Sequence, residues 1–109
     1  MTVQALCERL SLTAFSLPEG EREITGVYIG DLLSWVMGRA QAGDAWITIM
    51  SNINVIAVAS LADTACVILA EDVVLPEDCL AAAKAKGINV LGSKAPAYET
   101  ACALKDALS

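Results

Sequence analysis

The sequence contains no histidine. That absence removes Ser-His-Asp and Cys-His catalysis and most zinc sites, because imidazole is the usual proton carrier near neutral pH and the commonest metal ligand. Four cysteines are present, Cys7, Cys66, Cys79 and Cys102, and no two form a Cys-x-x-Cys pair. A zinc ribbon, an iron–sulfur motif and a thioredoxin-like redox site therefore lack their signature. Thiols scattered in this way are expected to be reduced and to act as small apolar side chains. Basic residues are also scarce: seven against thirteen acids leave a formal net charge of −6. A nucleic-acid backbone or an anionic membrane surface needs a basic face, so neither is an expected partner.

Phosphate loops are missing too. No GxxxxGK[ST] and no GxGxxG occurs, and the nearest glycine spacing is Gly26-Val27-Tyr28-Ile29-Gly30. No close pair of carboxylates and no activated nucleophile stands out. No catalytic residue, metal ligand or cofactor is therefore assigned. The most membrane-like stretch, Ile53 to Ala70, is interrupted by Asn54, Asp63 and Thr64. Its apolar pieces fall well short of the roughly 20 residues of a spanning helix. The first residues lack the basic segment and apolar run of a secretory signal, so the cytoplasm is the expected compartment.

What remains is strongly apolar. Of 109 residues, 56% are hydrophobic and 18% charged, a composition that excludes intrinsic disorder. The length suits one domain. Val3 to Leu10 reads as a short helix and Thr13 to Ser16 as a strand. Pro18-Glu19-Gly20 is a turn. Glu23 to Ile29 is a strand in which Gly26 predicts a bulge or a close backbone approach. Asp31 occupies an N-cap position before a helical stripe of Leu32, Leu33, Val36, Met37 and Ala40. Ala45 to Met50 reads as a buried strand, and Asn54 to Leu61 as a helix apolar on nearly every side. Cys66 to Ala70 is the next strand. Pro76, Glu77 and Asp78 open a helix that ends at Lys84, Lys86 and Gly87, with each residue type at the terminus that favours it. Ile88 to Leu91 is the last strand, and Pro96 opens a helix running to about Leu108.

Strands alternating with helices imply crossovers and a largely parallel sheet. The strands are continuous apolar runs, so helices should cover both faces. The expected fold is a single three-layer α/β/α domain with a largely parallel sheet of about five strands. In open parallel sheets ligands bind beyond the carboxyl ends of the strands, where helix N-termini favour anions. That rule selects Gly30, Asp31 and Ser34 after the second strand, and Ser51, Asn52 and Asn54 after the third. Ser93 and Lys94 follow the fifth, while Glu71-Asp72 after the fourth reads as a solvated turn. Trp35 falls off the apolar stripe of its helix and is the candidate interface anchor.

A longer pattern is carried by Arg22-Glu23-Ile24-Thr25-Gly26-Val27-Tyr28, Asp31-Leu32-Leu33-Ser34-Trp35-Val36-Met37 and Gly43-Asp44-Ala45-Trp46-Ile47-Thr48-Ile49. It continues through Asn54-Val55-Ile56-Ala57-Val58-Ala59-Ser60-Leu61 and Ala83-Lys84-Ala85-Lys86-Gly87-Ile88. Taken in order, these segments resemble the DRTGG domain family along nearly the whole chain. The resemblance implies one DRTGG-like domain over residues 1–109, similar in fold to the N-terminal domains of HPr kinase/phosphorylase and of Mur ligases. Family members stand alone, or accompany CBS domains in nucleotide-regulated pyrophosphatases, or occur inside phosphotransacetylases. The resemblance thus implies a regulatory and dimerising module, with a nucleotide or phosphorylated small molecule as ligand and a partner enzyme. The signature Asp-Arg-Thr-Gly-Gly is reduced here to Arg22…Thr25-Gly26, with Val27 in place of the second glycine. Ser51-Asn52-Ile53-Asn54 stands where many members carry a histidine, and Trp35 where a polar residue is common.

Three readings follow. The first is a non-catalytic homodimeric regulator that senses a small anionic metabolite or nucleotide. The second is a purely structural protein–protein interaction domain without a small ligand. A phosphotransferase comes last, because its phosphate loop is missing.

Overall fold

A computed structural model describes residues 1–109. The chain runs α1 (Val3–Arg9), β1 (Thr13–Ser16), β2 (Gly26–Ile29), α2 (Leu33–Arg39), β3 (Asp44–Thr48), α3 (Ile53–Ala62), β4 (Cys66–Leu69), α4 (Glu77–Lys86), β5 (Val90–Gly92) and α5 (Ala97–Leu108). Local chemistry sets the helix ends. Thr2 caps α1 by accepting from the Ala5 N–H at 3.1 Å, and Asn52 caps α3 by accepting from the Asn54 N–H at 2.9 Å. Helix α4 carries Glu77 and Asp78 in its first turn and Lys84 and Lys86 in its last, and it stops at Gly87 in the left-handed conformation (φ 70). Helix α3 stops in the same way at Asp63, a non-glycine residue at φ 58.

The five strands form one sheet in the order β1-β5-β4-β3-β2. Strands β2, β3, β4 and β5 are parallel, while β1 pairs antiparallel with β5. The sheet is therefore mixed. Sequence shows that Thr13–Ser16 is extended, but no crossover helix ties β1 directly to β5, so nothing local sets its direction. The β1 ladder is irregular, with a register shift between Ala14 and Ser16. Gly26 does mark a close approach, because a Cβ there would lie 2.5 Å from Oδ1 of Asp44.

Alternate strand residues feed two separate cores. Ala45, Ile47, Cys66, Ile68 and Leu91 pack with Val3 and Leu6 of α1 and with Leu104 of α5. Trp46, Val67, Leu69 and Val90 pack with Val36 of α2, Val55 and Ile56 of α3, and Cys79 and Ala83 of α4. Each large side chain fully buried in this way contributes roughly 1.5–3 kcal/mol. Trp46 is the largest of them, and its indole N–H donates to the Gly30 carbonyl at 2.9 Å.

The burial expected on both faces of every strand fails at β2. In the ladder Val27 and Ile29 lie beside Ala45 and Ile47, yet they are 39% and 50% exposed. As the last strand of the sheet, β2 has that face left open. The stripe expected on α2 is also thinner than its sequence suggests. Val36 alone is fully buried, and Leu32 and Met37 stand more than half exposed, because this short helix sits over the rim of the sheet. No helix of the chain is long and apolar enough to cross a membrane.

Candidate functional site

Four parallel strands deliver their following loops to one edge, which brings the residues selected from sequence to the same end of the sheet. They do not converge on one point there. Gly30 is held between β2 and β3: its carbonyl accepts from Trp46, and its N–H donates to the Ile47 carbonyl at 3.2 Å. Asp31 does not cap α2. The residue at that N-cap is Leu32, with no side-chain hydrogen bond. The Asp31 carboxylate instead accepts from the Thr48 hydroxyl at 2.7 Å and the Ile49 N–H at 3.0 Å, tying the end of β2 to the end of β3. A sequence cannot distinguish a local cap from such a cross-strand acceptor, since both place a carboxylate just after a strand.

Ser34 is exposed on α2. The Ser51 carbonyl accepts from the Cys79 thiol at 3.3 Å, and Asn54 is exposed on the first turn of α3. Two strands away, Ser93 is buried, and its hydroxyl is shared with Thr100 at 2.8 Å and accepts from the Ala95 N–H at 3.2 Å. Lys94 beside it is exposed. Glu71 and Asp72 form an exposed turn, as the sequence reading expects. Both adopt the left-handed conformation, at φ 61 and 59, and their N–H groups donate to Ala95 and Ser93. Trp35 is 52% exposed, as much as Met37 on the predicted stripe, and the Arg39 guanidinium lies 3.7 Å from its ring centre. A cation over tryptophan at an exposed site is worth about 0.5–1 kcal/mol.

The opposite edge, at the amino ends of the strands, holds a feature that the sequence did not disclose. A cavity of about 270 Å³ opens between the C-termini of α3 and α4 and the turn before β2. Its lining includes Glu19, Arg22, Ser60, Asp63, Thr64, Lys86 and Asn89. Asn89 is buried and holds one wall in place. Its Oδ1 accepts from the Glu19 N–H at 2.9 Å, and its Nδ2 donates to the carbonyls of Glu19 at 2.7 Å and Ala65 at 2.9 Å. Arg22 donates to Oδ1 of Asp63 at 2.8 Å and to the Asp63 carbonyl at 2.6 Å. Neither Glu19 nor Lys86 is in an ion pair. The Thr64 hydroxyl is buried with no hydrogen-bond partner. Leaving such a group unsatisfied costs about 1–3 kcal/mol. Sequence reasoning missed these residues because they come from three separate stretches. The one local signal was Gly87 at the end of α4.

Burial raises the thiols near this end. Cys66, at the start of β4, is pushed up to about 12, chiefly by burial and secondarily by the neighbouring Cys7. Cys7 is raised by burial and then by Glu8. Neither thiol becomes a nucleophile under these conditions, because the thiolate is the reactive form.

No protein-family model matches the chain, and no curated protein matches it. Among solved structures it is similar to the CBS and DRTGG domains of the regulatory region of Clostridium perfringens pyrophosphatase, a structure complexed with the activator diadenosine tetraphosphate. The TM-score is 0.72 at 14% identity. The match covers 92% of this chain and 44% of that one, so this chain spans under half the length of that regulatory region. At this identity the likeness is one of fold, and it agrees with the DRTGG-like architecture that the sequence resemblance implies.

Proposed function

We propose that residues 1–109 act as one three-layer α/β/α domain, a non-catalytic regulatory and dimerising module in the cytoplasm that senses a small anionic metabolite or nucleotide. The fold likeness carries this reading, because the similar region is regulatory and its structure contains a dinucleotide activator. In this chain the ligand would sit at the carboxyl ends of the strands, among Gly30, Asp31, Ser34, Ser51, Asn52, Asn54, Ser93 and Lys94. Two features support that location. Helix α5 starts there without a side-chain cap, and the exposed Lys94 stands just before it. Uncapped N–H groups and a cation favour a phosphate.

A second copy of the chain would pack against the β2–α2 flank. Six of the ten exposed large apolar side chains come from this flank and the end of β3: Val27 and Ile29 on the face that α1 and α5 cover elsewhere, Leu32, Trp35 and Met37 around α2 on the other face, and Ile49 just past β3. Isolated apolar residues are ordinary on a surface, whereas a concentration on one flank marks an interaction site. Trp35→Ala is expected to yield monomer in light scattering at micromolar concentration, and an unchanged mass would remove the tryptophan from the interface.

The sensing reading is tested by thermal shift with adenine and guanine nucleotides, dinucleotides, acetyl phosphate and phosphosugars. A ligand at 100 times its Kd adds about 2.7 kcal/mol, and each kcal/mol moves the midpoint by roughly 4–8 °C. A clear shift that is lost in Asn52→Ala is the expected result. A flat screen favours the second reading, a structural interaction domain that binds a partner enzyme. One observation already points that way: Asp31, Asn52 and Ser93 spend their side-chain hydrogen bonds within the chain.

A further inference from the structure

The amino-end cavity has a charge pattern that narrows what could fill it. Arg22 and Asp63 largely neutralise each other at 2.8 Å. Lys86 and Glu19 are exposed at the mouth of the same cavity and free of ion pairs, so one cation and one carboxylate are available to a ligand. The Glu19 carboxylate comes within 3.7 Å of where a Cβ on Gly87 would stand, which places it on the Lys86 side of the opening. Two ten-residue helices, α3 and α4, also end here, and their partial negative charge favours a cation. Thr64 lines the same space, and its buried hydroxyl can donate or accept but has no partner in the chain.

We propose that this cavity binds a free α-amino acid as a zwitterion. The ligand carboxylate meets Lys86 and the guanidinium N–H groups that Arg22 does not spend on Asp63. The ligand ammonium meets Glu19 and the helix C-terminal end. The volume of about 270 Å³ corresponds to about nine waters at roughly 30 Å³ each, and it lies just below the usual range of drug-sized pockets. That space admits an amino acid. This inference does not rest on the ligand proposed for the carboxyl ends, because the two places lie at opposite edges of the sheet.

The test is calorimetric titration of the full chain with each common α-amino acid in turn. The best binder is then compared with its decarboxylated amine and with the matching α-hydroxy acid. At least one amino acid is expected to bind, with both analogues weaker by roughly tenfold to hundredfold, the loss typical of one charged hydrogen bond. Lys86→Met and Glu19→Gln are expected to weaken binding to the same degree. Asn52→Ala, at the far edge, should leave amino-acid binding unchanged whatever the nucleotide screen shows. The proposal is overturned if no amino acid binds, if binding survives Lys86→Met and Glu19→Gln, or if the hydroxy acid binds as tightly as its amino acid.

Discussion

The two ends of the parallel strands use polar groups in opposite ways. At the carboxyl ends, Asp31, Thr48, Asn52, Ser93 and Thr100 satisfy one another or nearby backbone, and the polar side chains serve as stitching. At the amino ends, Asn89 is fully engaged, but the buried Thr64 hydroxyl has no partner, and the exposed Lys86 and Glu19 border a cavity without ion pairs. Position on an α/β sheet raises the prior for a site at the carboxyl ends, while unspent hydrogen-bonding capacity raises it at the amino ends. The comparison shows that a rule about topology and an inventory of satisfied groups can point to different places in one small fold.

Four measurements would sharpen or break this contrast. The largest effect is expected in alkali. Burial holds the Cys66 thiol protonated up to about 12, against an ordinary value of 9.0. The unfolded chain then releases its proton first as pH rises. The stabilisation from the protonated thiol is complete below pH 9 and is lost as pH climbs toward about 12. Urea unfolding across this window should show a falling midpoint, and Cys66→Ala should flatten the decline more than Cys79→Ala does at the other end.

Next in size is Asn89→Ala. It removes three hydrogen bonds and leaves the Ala65 carbonyl without its side-chain donor, which should cost about 3 kcal/mol in urea denaturation. Ser93→Ala, its counterpart at the carboxyl end, should cost only about 1–2 kcal/mol, because Thr100 keeps a bond to the Ala95 carbonyl. Equal losses from the two substitutions would erase the asymmetry. The smallest effect has the opposite sign. Thr64→Val replaces an unsatisfied hydroxyl by a methyl group of similar shape and should stabilise by about 1 kcal/mol. A destabilised Thr64→Val variant would mean that the hydroxyl is satisfied in solution.

Much of the architecture was legible because its signals are local. Pro76, Glu77, Asp78, Lys86 and Gly87 each favour one end of a helix, and α4 spans the residues between them. The β-branched run read as a strand over Ala45 to Met50 and the apolar run at Cys66–Leu69 became the buried central strands, the first ending at Thr48 with Ile49 already half exposed. Angle on the helix did not by itself separate Trp35 from its neighbours, since Met37 on the predicted stripe is equally exposed. What depends on distant pairing was not legible. The role of Asp31 needs Thr48 seventeen positions away, and the direction of β1 needs β5 on the far side of the chain. The cavity joins residues 19 to 89, and no window of sequence contains it.

The irregular ladder of β1 bears on how far association can proceed. An exposed strand edge can accept another strand, and a sheet with two regular edges can add copies without end into a fibre. In this sheet the two outer strands are unequal. Both are four residues long, but β2 is a regular parallel strand, while β1 breaks register between Ala14 and Ser16. Copies joined symmetrically through β2 would present only β1 strands outward. Growth would then stop at two, and the kink near Ala14 would act as a chain terminator.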